Sequence, residues 1–492
     1  MADYILSIDS GTTSCRAIVF DRTGKPLGIG QKEFKQYFPN PGWVEHDPME
    51  ILSVQTECIK EAIKSAGIKP TEVSCVGVTN QRETTVVWDK LSGKPIYNAI
   101  VWQCRRTHEF STQLRHESEN FREKTGLIPD AYFSGPKVRW ILANVNGAAK
   151  LAEEGRLAFG TIDTWLIWNL TEGQSHLTEP SNASRTMMYN IHKLDWDDEL
   201  LHRLSVPRNM MPKVVASNAE FGLTDKTKLG FSAPILADLG DQQAALFGQA
   251  CFQRGTAKCT YGTGSFLLAN IGDTPRIAPG LLTTVAWQMS GEKPVYAFEG
   301  AIFIAGAAVQ WLRDQLGIIT STDETEGLAT SLNSNDGVYF VPALVGLGSP
   351  WWNSDVRGTI VGLTRGSGRA HLVRAALESM AYQVADVTND MANSGIEILE
   401  LRVDGGATKN KFMLQVQSDL MLAPVLRSSQ LEATAWGVAA LAGLRFGIFK
   451  STSEIEALWS CDLTVEPKSD READYEGWRR ALRGAFAWSG SS

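Results

Sequence analysis

Asp9 closes an apolar run and is followed by Gly11-Thr12-Thr13-Ser14, after which the chain turns apolar again. Three hydroxyls behind one glycine present backbone N–H groups that suit an anion nest, and Arg16 adds a guanidinium for phosphate. Asp9, at the strand end, is placed to hold Mg²⁺ through water, the mode that ion prefers. The competing reading is a hairpin whose hydroxyls satisfy their own backbone. The sequence leaves both open. It contains no GxxxxGK(S/T), no GxGxxG and no GxSxG, so neither a P-loop, a dinucleotide fingerprint nor a nucleophile elbow is present.

Three further stretches carry chemistry. In Asn80-Gln81-Arg82-Glu83-Thr84-Thr85 a guanidinium and a carboxylate adjoin. Together they suit a neutral polyol, one donating to hydroxyl oxygen and the other accepting from hydroxyl hydrogen. A regular strand would point them to opposite faces, so they share a ligand only if the backbone is irregular there. An exposed charged loop is the alternative. Gly240-Asp241-Gln242-Gln243 opens a helical pattern, and Asp241 reads either as an N-cap or as a base for a hydroxyl. A helix N-terminus is expected to keep that carboxylate ionised. Asp404-Gly405-Gly406 reads as a tight turn or as a close backbone approach to a nucleoside. Most of the fifteen tryptophans, Trp165 and Trp168 included, read as packing, whereas Trp102 is placed to wall a small ligand. His192 reads as a loop or helix-start residue.

The elements that must hold these groups follow from local pattern. Tyr4–Ile8, Arg16–Phe20 and Pro26–Phe34 read as strands, the last two joined at Asp21-Arg22-Thr23-Gly24. Asp47-Pro48-Met49-Glu50 starts a helix with Asp at the N-cap, Pro at N1 and Glu at N3 as in a capping box, and Gly67 stops it. Val73–Thr79 reads as a buried strand. The second half repeats that order: strands over Thr256–Tyr261 and Ser265–Ile271 around Gly262-Thr263-Gly264, then strands over Leu281–Gln288 and Val295–Phe298, and a helix from about Ala301. A long helix over Arg369–Asn393, a strand over Leu399–Val403 and another helix complete it. Two halves that share order imply an internal duplication, a cleft between α/β domains, and two hairpins closing on one polyphosphate. The junction is expected near Asp241–Thr256.

The chain has 492 residues and a net charge of −8, which speaks against a nucleic-acid or anionic-membrane partner. Seven scattered cysteines form no CxxC and read as reduced thiols, pointing to the cytoplasm. No HExxH or HxH suggests zinc, no signal peptide is evident, and the uncharged run near Ala433–Leu444 is too short to span a bilayer. The sequons at Asn169 and Asn182 read as chance matches.

Taken together, "DSGTTSCRAIVFD", "GWVEHDP", "GVTNQRETT", "IVWQCRR", "YFSGPK", "TIDTWLIWNLT", "NASRTM", "GDQQAALFGQ", "YGTGSF", "DGGATKN" and "EATAWGVAALAG" closely resemble, in order over nearly the whole chain, the glycerol kinases among the FGGY carbohydrate kinases, of the actin-like ATPase superfamily. The resemblance implies two ribonuclease H-like α/β domains, 1–248 and 249–492, around an interdomain nucleotide cleft. It implies ATP-dependent, Mg²⁺-assisted phosphorylation of glycerol to sn-glycerol 3-phosphate in glycerol uptake and catabolism, with another polyol or ketose as the alternative acceptor. It implies a homodimer or homotetramer. Carried over, Asp241 matches the base; Arg82, Glu83, Tyr132 and Gln242 match polar contacts to glycerol, and Trp102 and Phe266 its apolar walls. Thr12, Thr13, Ser14 and Arg16 match the first phosphate hairpin and Thr263 the second. Gly306, Gln310, Gly406 and Asn410 match nucleotide contacts, and Asp9 the magnesium-side carboxylate. The stretch "TDKTKLGFSAPILADLGD" lacks the Gly-Gly-Thr-Arg motif with which some members bind fructose 1,6-bisphosphate, and no histidine lies between Ser217 and Asp241 for phosphorylation. Neither form of regulation is expected.

Overall fold

The computed structural model describes residues 3–430 and 432–490. Its N-terminal lobe is built on β1 (Tyr4–Ser10), β2 (Ser14–Phe20), β3 (Pro26–Glu33), β4 (Val73–Asn80) and β5 (Pro234–Gly240), in the order β5-β4-β1-β2-β3 with a short edge segment, Gly222–Leu223, beyond β5. β1, β2 and β3 form an antiparallel meander, as their apolar runs and the hairpin turn between β2 and β3 predict; β4 and β5 add parallel to it. Helix α1 (Pro48–Ser65) covers one face. Its N-cap, Asp47, accepts from Met49 N at 2.8 Å, as the sequence predicts. The capping box does not form: Glu50 instead accepts from the Lys35 backbone N–H, in the loop after β3, at 3.1 Å.

The second lobe repeats the plan with β6 (Thr256–Tyr261), β7 (Ser265–Gly272), β8 (Leu282–Trp287), β9 (Val295–Ile302), β10 (Glu400–Asp404), β11 (Val425–Ser428) and β12 (Cys461–Val465), ordered β8-β9-β7-β6-β10-β11-β12. Again three antiparallel strands, β9-β7-β6, are followed by two parallel ones. The helix expected from about Ala301 starts later, as α3 (Gly306–Asp314), because β9 continues to Ile302 in register with β7. The long helix α4 runs over Arg369–Asn393 as predicted, and α5 (Lys411–Met421) follows the glycine turn after β10.

The lobes are joined at their base by a helix pair. α2 (Asp241–Gly248) leaves β5, and α6 (Ala433–Phe446), though late in the chain, lies against β1, β4 and β5. A Cβ on Gly437 would lie 1.8 Å from the Ala244 carbonyl oxygen, and one on Gly248 2.0 Å from that of Ala433. Only glycine lets the two backbones approach so closely. Ile5, Phe20, Leu239 and Phe247 share one apolar cluster with Trp436, Val438 and Leu441, so this base is a single core. The cleft opens above it.

Candidate active site

The first hairpin bends at Gly11, whose N–H donates to Ser14 O at 3.0 Å. Among the described residues the hydroxyls of Thr12, Thr13 and Ser14 make no bond to the hairpin's own backbone. Instead Trp102 Nε1 donates to Thr12 Oγ1 at 2.9 Å and Gln31 to Ser14 Oγ at 3.3 Å, while Thr13 is exposed. Side chains outside the turn hold its carbonyls: Gln81 bonds Gly11 O at 2.9 Å and Gln36 bonds Thr12 O at 3.1 Å. Buried His46 links the two glutamines, contacting Gln36 at 2.6 Å and Gln81 at 3.4 Å. Burial lowers His46 to about 4, so it is neutral, accepting from one amide and donating to the other carbonyl. The turn's carbonyls are thereby held from behind, with Thr13 exposed and Thr12 and Ser14 half-buried.

Asp9 and Arg16 are register partners at the foot of the hairpin. Burial raises the Asp9 carboxyl to about 7; Arg16 opposes the rise, and Asp241 and Glu432 add to it. Arg16 pairs with Glu432 at the start of α6, so a phosphate bound here would share that guanidinium with a carboxylate.

Arg82 and Glu83 are buried at 3% and 1% exposure, which excludes the exposed-loop reading. Glu83 adopts φ +61°, the irregular backbone needed to turn both side chains inward. Arg82 forks onto Glu299 of β9, at 2.6 and 3.1 Å, and its Nε lies 3.3 Å from Asp241 Oδ1. Arg185 bonds Glu83 at 2.7 Å and Glu299 at 3.0 Å. Tyr132 OH stands 3.5 Å from Arg82, and its ring meets Trp102 edge-on, with centroids 5.6 Å apart. Lys258 of β6 donates to Gln242 Oε1. Three cations (Arg82, Arg185, Lys258) thus face three carboxylates (Glu83, Asp241, Glu299), a balance that makes burial of so much charge tolerable.

Asp241 is not the N-cap of α2; it is the first helical residue, and Gly240 is the cap. Its carboxylate accepts from Gln242 N at 2.7 Å and is 30% exposed at the side chain. A helix N-terminus alone favours the anion. Burial in fact raises its pKa, against the pull of Arg82, Lys258 and the Gln242 N–H. The shift makes it a better proton acceptor.

On the other lobe, the cross-strand pairs Thr260–Phe266 and Lys258–Leu268–Glu299 put Phe266, Lys258 and Glu299 on one sheet face. Half-buried Phe266 therefore shares a sheet face with Lys258 and Glu299. The second hairpin, Tyr261-Gly262-Thr263, borders a cavity of about 570 Å³ together with Gly306, Gln310, Gly406 and Asn410, all expected from the sequence, and with Thr325 and Met380, which were not. Gly306 N donates to Gly262 O at 3.0 Å, seating the N-terminus of α3 on the hairpin. A Cβ on Gly406 would meet nothing within 4 Å, so its backbone stays open to the cavity. Gly405 instead has φ +96° and no room for a Cβ against Tyr261 O. Asn410 also caps α5, accepting from Met413 N at 2.9 Å.

Sequence reasoning missed Glu299, Arg185 and Lys258. A usable signal existed for two of them: Glu299 and Lys258 are lone charges in buried strands, VYAFEGAI and TAKCTY. Arg185 had no local signal beyond its motif.

Residues 4–248 match the N-terminal domain and residues 257–446 the C-terminal domain of the FGGY family of carbohydrate kinases. The chain is 55% identical to a glycerol kinase of Caldanaerobacter subterraneus subsp. tengcongensis, over 99% of this chain and all of that protein. It is 55% identical to glycerol kinase 2 of Thermotoga maritima, over 99% of each. The Plasmodium falciparum glycerol kinase, crystallised with ADP, superposes with a TM-score of 0.95 at 36% identity, covering 98% of both chains. With both family domains in sequence order on the duplicated actin-like fold, this chain belongs to the FGGY carbohydrate kinases.

Proposed function

We propose that the chain transfers the γ-phosphoryl group of ATP to glycerol, giving sn-glycerol 3-phosphate and ADP. The observation that carries the reading is Asp241: a cleft-facing carboxylate with raised proton affinity, 3.3 Å from a buried guanidinium and electrostatically coupled to Asp9 at the first hairpin. It takes the proton of the attacking hydroxyl. Arg82, Glu83, Tyr132 and Gln242 bind glycerol hydroxyls, and Trp102 and Phe266 flank its carbons. Donors of Thr12, Thr13, Ser14, Arg16 and Thr263 balance phosphate charge, which is most of what phosphoryl transfer asks of a protein. Gly306, Gln310, Gly406 and Asn410 face the nucleoside.

Asp9 is the residue that would hold Mg²⁺, through water. No donor among the described residues bonds its carboxylate, and no cluster of three ligating side chains occurs among them, which suits an ion carried mainly by phosphate and water. That ion supplies charge neutralisation on the polyphosphate.

The reading divides the chain at 248/249 into an acceptor-binding and a nucleotide-binding domain. It places the protein in the cytoplasm, as a dimer or tetramer. All seven cysteines are unpaired, and no helix among the described residues is long and apolar enough to cross a membrane. The test is one coupled ADP-release assay with ATP and Mg²⁺ across glycerol, xylulose and ribulose. Glycerol is expected to give the highest kcat/KM; a ketose ahead of it refutes the acceptor assignment. Sedimentation equilibrium measures the assembly.

A further inference from the structure

Lys258 is fully buried on β6, and no step above uses it. Register places it in one row with Leu268 and Glu299, on the sheet face that bears Phe266. Its ammonium donates to Gln242 Oε1 on α2 and to Thr260 Oγ1 at 3.3 Å. Thr260 directly precedes the second hairpin. The cation therefore ties the acceptor-side helix of one lobe to the strand that enters the phosphate hairpin of the other. An ammonium carries three donors, and two have partners among the described residues.

We propose that Lys258 is a positioning residue for phosphoryl transfer: it pins the Gln242 carbonyl so that the Gln242 amide N–H groups face the acceptor, and its charge holds Asp241 ionised while the acceptor is bound. The proposal rests on the reading of Asp241 as the base and Gln242 as an acceptor contact. The chemistry is direct. A glutamine amide has one acceptor oxygen and an N–H₂ group; once the oxygen is taken by a cation, only donors remain for hydroxyl oxygens. Asp241 faces Arg82, Lys258, Glu299 and Asp9. Arg82 is already committed bidentately to Glu299, so Lys258 is the second cation that offsets the burial of Asp241. Lys258 in turn faces Asp404, Cys259, Asp241, Arg82 and Glu299; burial works against its charge, and Asp404 and Asp241 help to retain it.

The experiment compares K258M, K258Q, K258R and D241N with the wild-type chain, by kcat and KM for each substrate from pH 5 to 9, and by thermal melting. Both neutral variants are expected to raise the glycerol KM roughly tenfold, as for one lost charge-assisted hydrogen bond, with the ATP KM within about twofold. They are expected to move the acid limb of kcat, which reports the acceptor-bound enzyme, upward by about one pH unit, because a nearby cation no longer favours the carboxylate. K258R, which keeps the charge, is expected to leave that limb in place. An unmoved limb in whichever neutral variant folds overturns the proposal, as does a parallel rise of both KM values. Two neutral variants that fail to fold beside a folded K258R make the residue structural and overturn it too. An active D241N would defeat the base reading instead; an inactive D241N beside a wild-type-like K258M defeats this proposal alone.

Discussion

Glu299→Gln tests the buried charge cluster most directly. The substitution keeps shape and one acceptor oxygen, but removes the anion that Arg82 and Arg185 share. Two independent arguments give its size. Breaking a buried ion pair by neutralising one partner costs about 3–5 kcal/mol, because the remaining charge stays buried. Separately, the Glu299 carboxyl is lowered from 4.5 to about 2: burial works against ionisation, and Arg185 and Arg82 outweigh it. A depression of that size corresponds to a stabilisation on the order of 3 kcal/mol. A depressed acid contributes its stability above its unfolded pKa and loses it as pH falls toward the folded value. The deficit of Glu299→Gln against wild type is therefore expected in full at pH 7, and to shrink as pH drops below 4.5. Urea unfolding followed by tryptophan fluorescence measures it at pH 7, 4.5 and 3.5. Because Glu299 belongs to β9 and Arg82 to the loop after β4, the loss should also appear as a higher glycerol KM. A change below about 1 kcal/mol at pH 7, or a gap that stays constant down to pH 3.5, refutes the reasoning.

Other outcomes follow from the same site. Asp241→Asn should melt within a few degrees of wild type and lose about 10²–10⁴ in kcat, the usual contribution of a general base; near-wild-type turnover removes Asp241 from its role. Arg82→Ala should raise the glycerol KM strongly and leave the ATP KM little changed, and an equal loss of ATP binding in steady-state kinetics contradicts its placement. Asp238, on β5 beneath the site, is fully buried beside Asp163 and Glu179, and burial, then the charges of those two acids, raise its pKa far above the ordinary range. Since the native state holds that proton, Asp238→Asn should match wild type below pH 3.8 and gain stability over it as pH rises, in urea melts; a gap that does not open with pH contradicts a protonated Asp238. Gly437→Ala should destabilise by about 3 kcal/mol or more through the clash of α6 with α2, and an unchanged melting temperature refutes the close packing.

The sequence by itself settled whatever depends on neighbours a few positions apart. Short apolar runs broken by turn residues marked the two meanders, Asp47-Pro48 marked the start of α1, and a glycine among hydroxyls marked both hairpins, because turn and cap chemistry is local. It also indicated that Arg82 and Glu83 could act together only on an irregular backbone, which φ +61° at Glu83 supplies. Only the tertiary structure decided what those groups touch. Arg82 meets Glu299 across 217 positions, and Arg16 meets Glu432 across 416. Tertiary contact likewise took Glu50 away from its expected capping box, and burial at the lobe interface moved Asp241 toward proton affinity where a helix N-terminus alone argued for the anion. The reason is physical. Hydrogen-bond and cap preferences are fixed by atoms adjacent in the chain, whereas desolvation and Coulomb energy depend on every charge within several ångströms, and in this chain those charges come from opposite lobes.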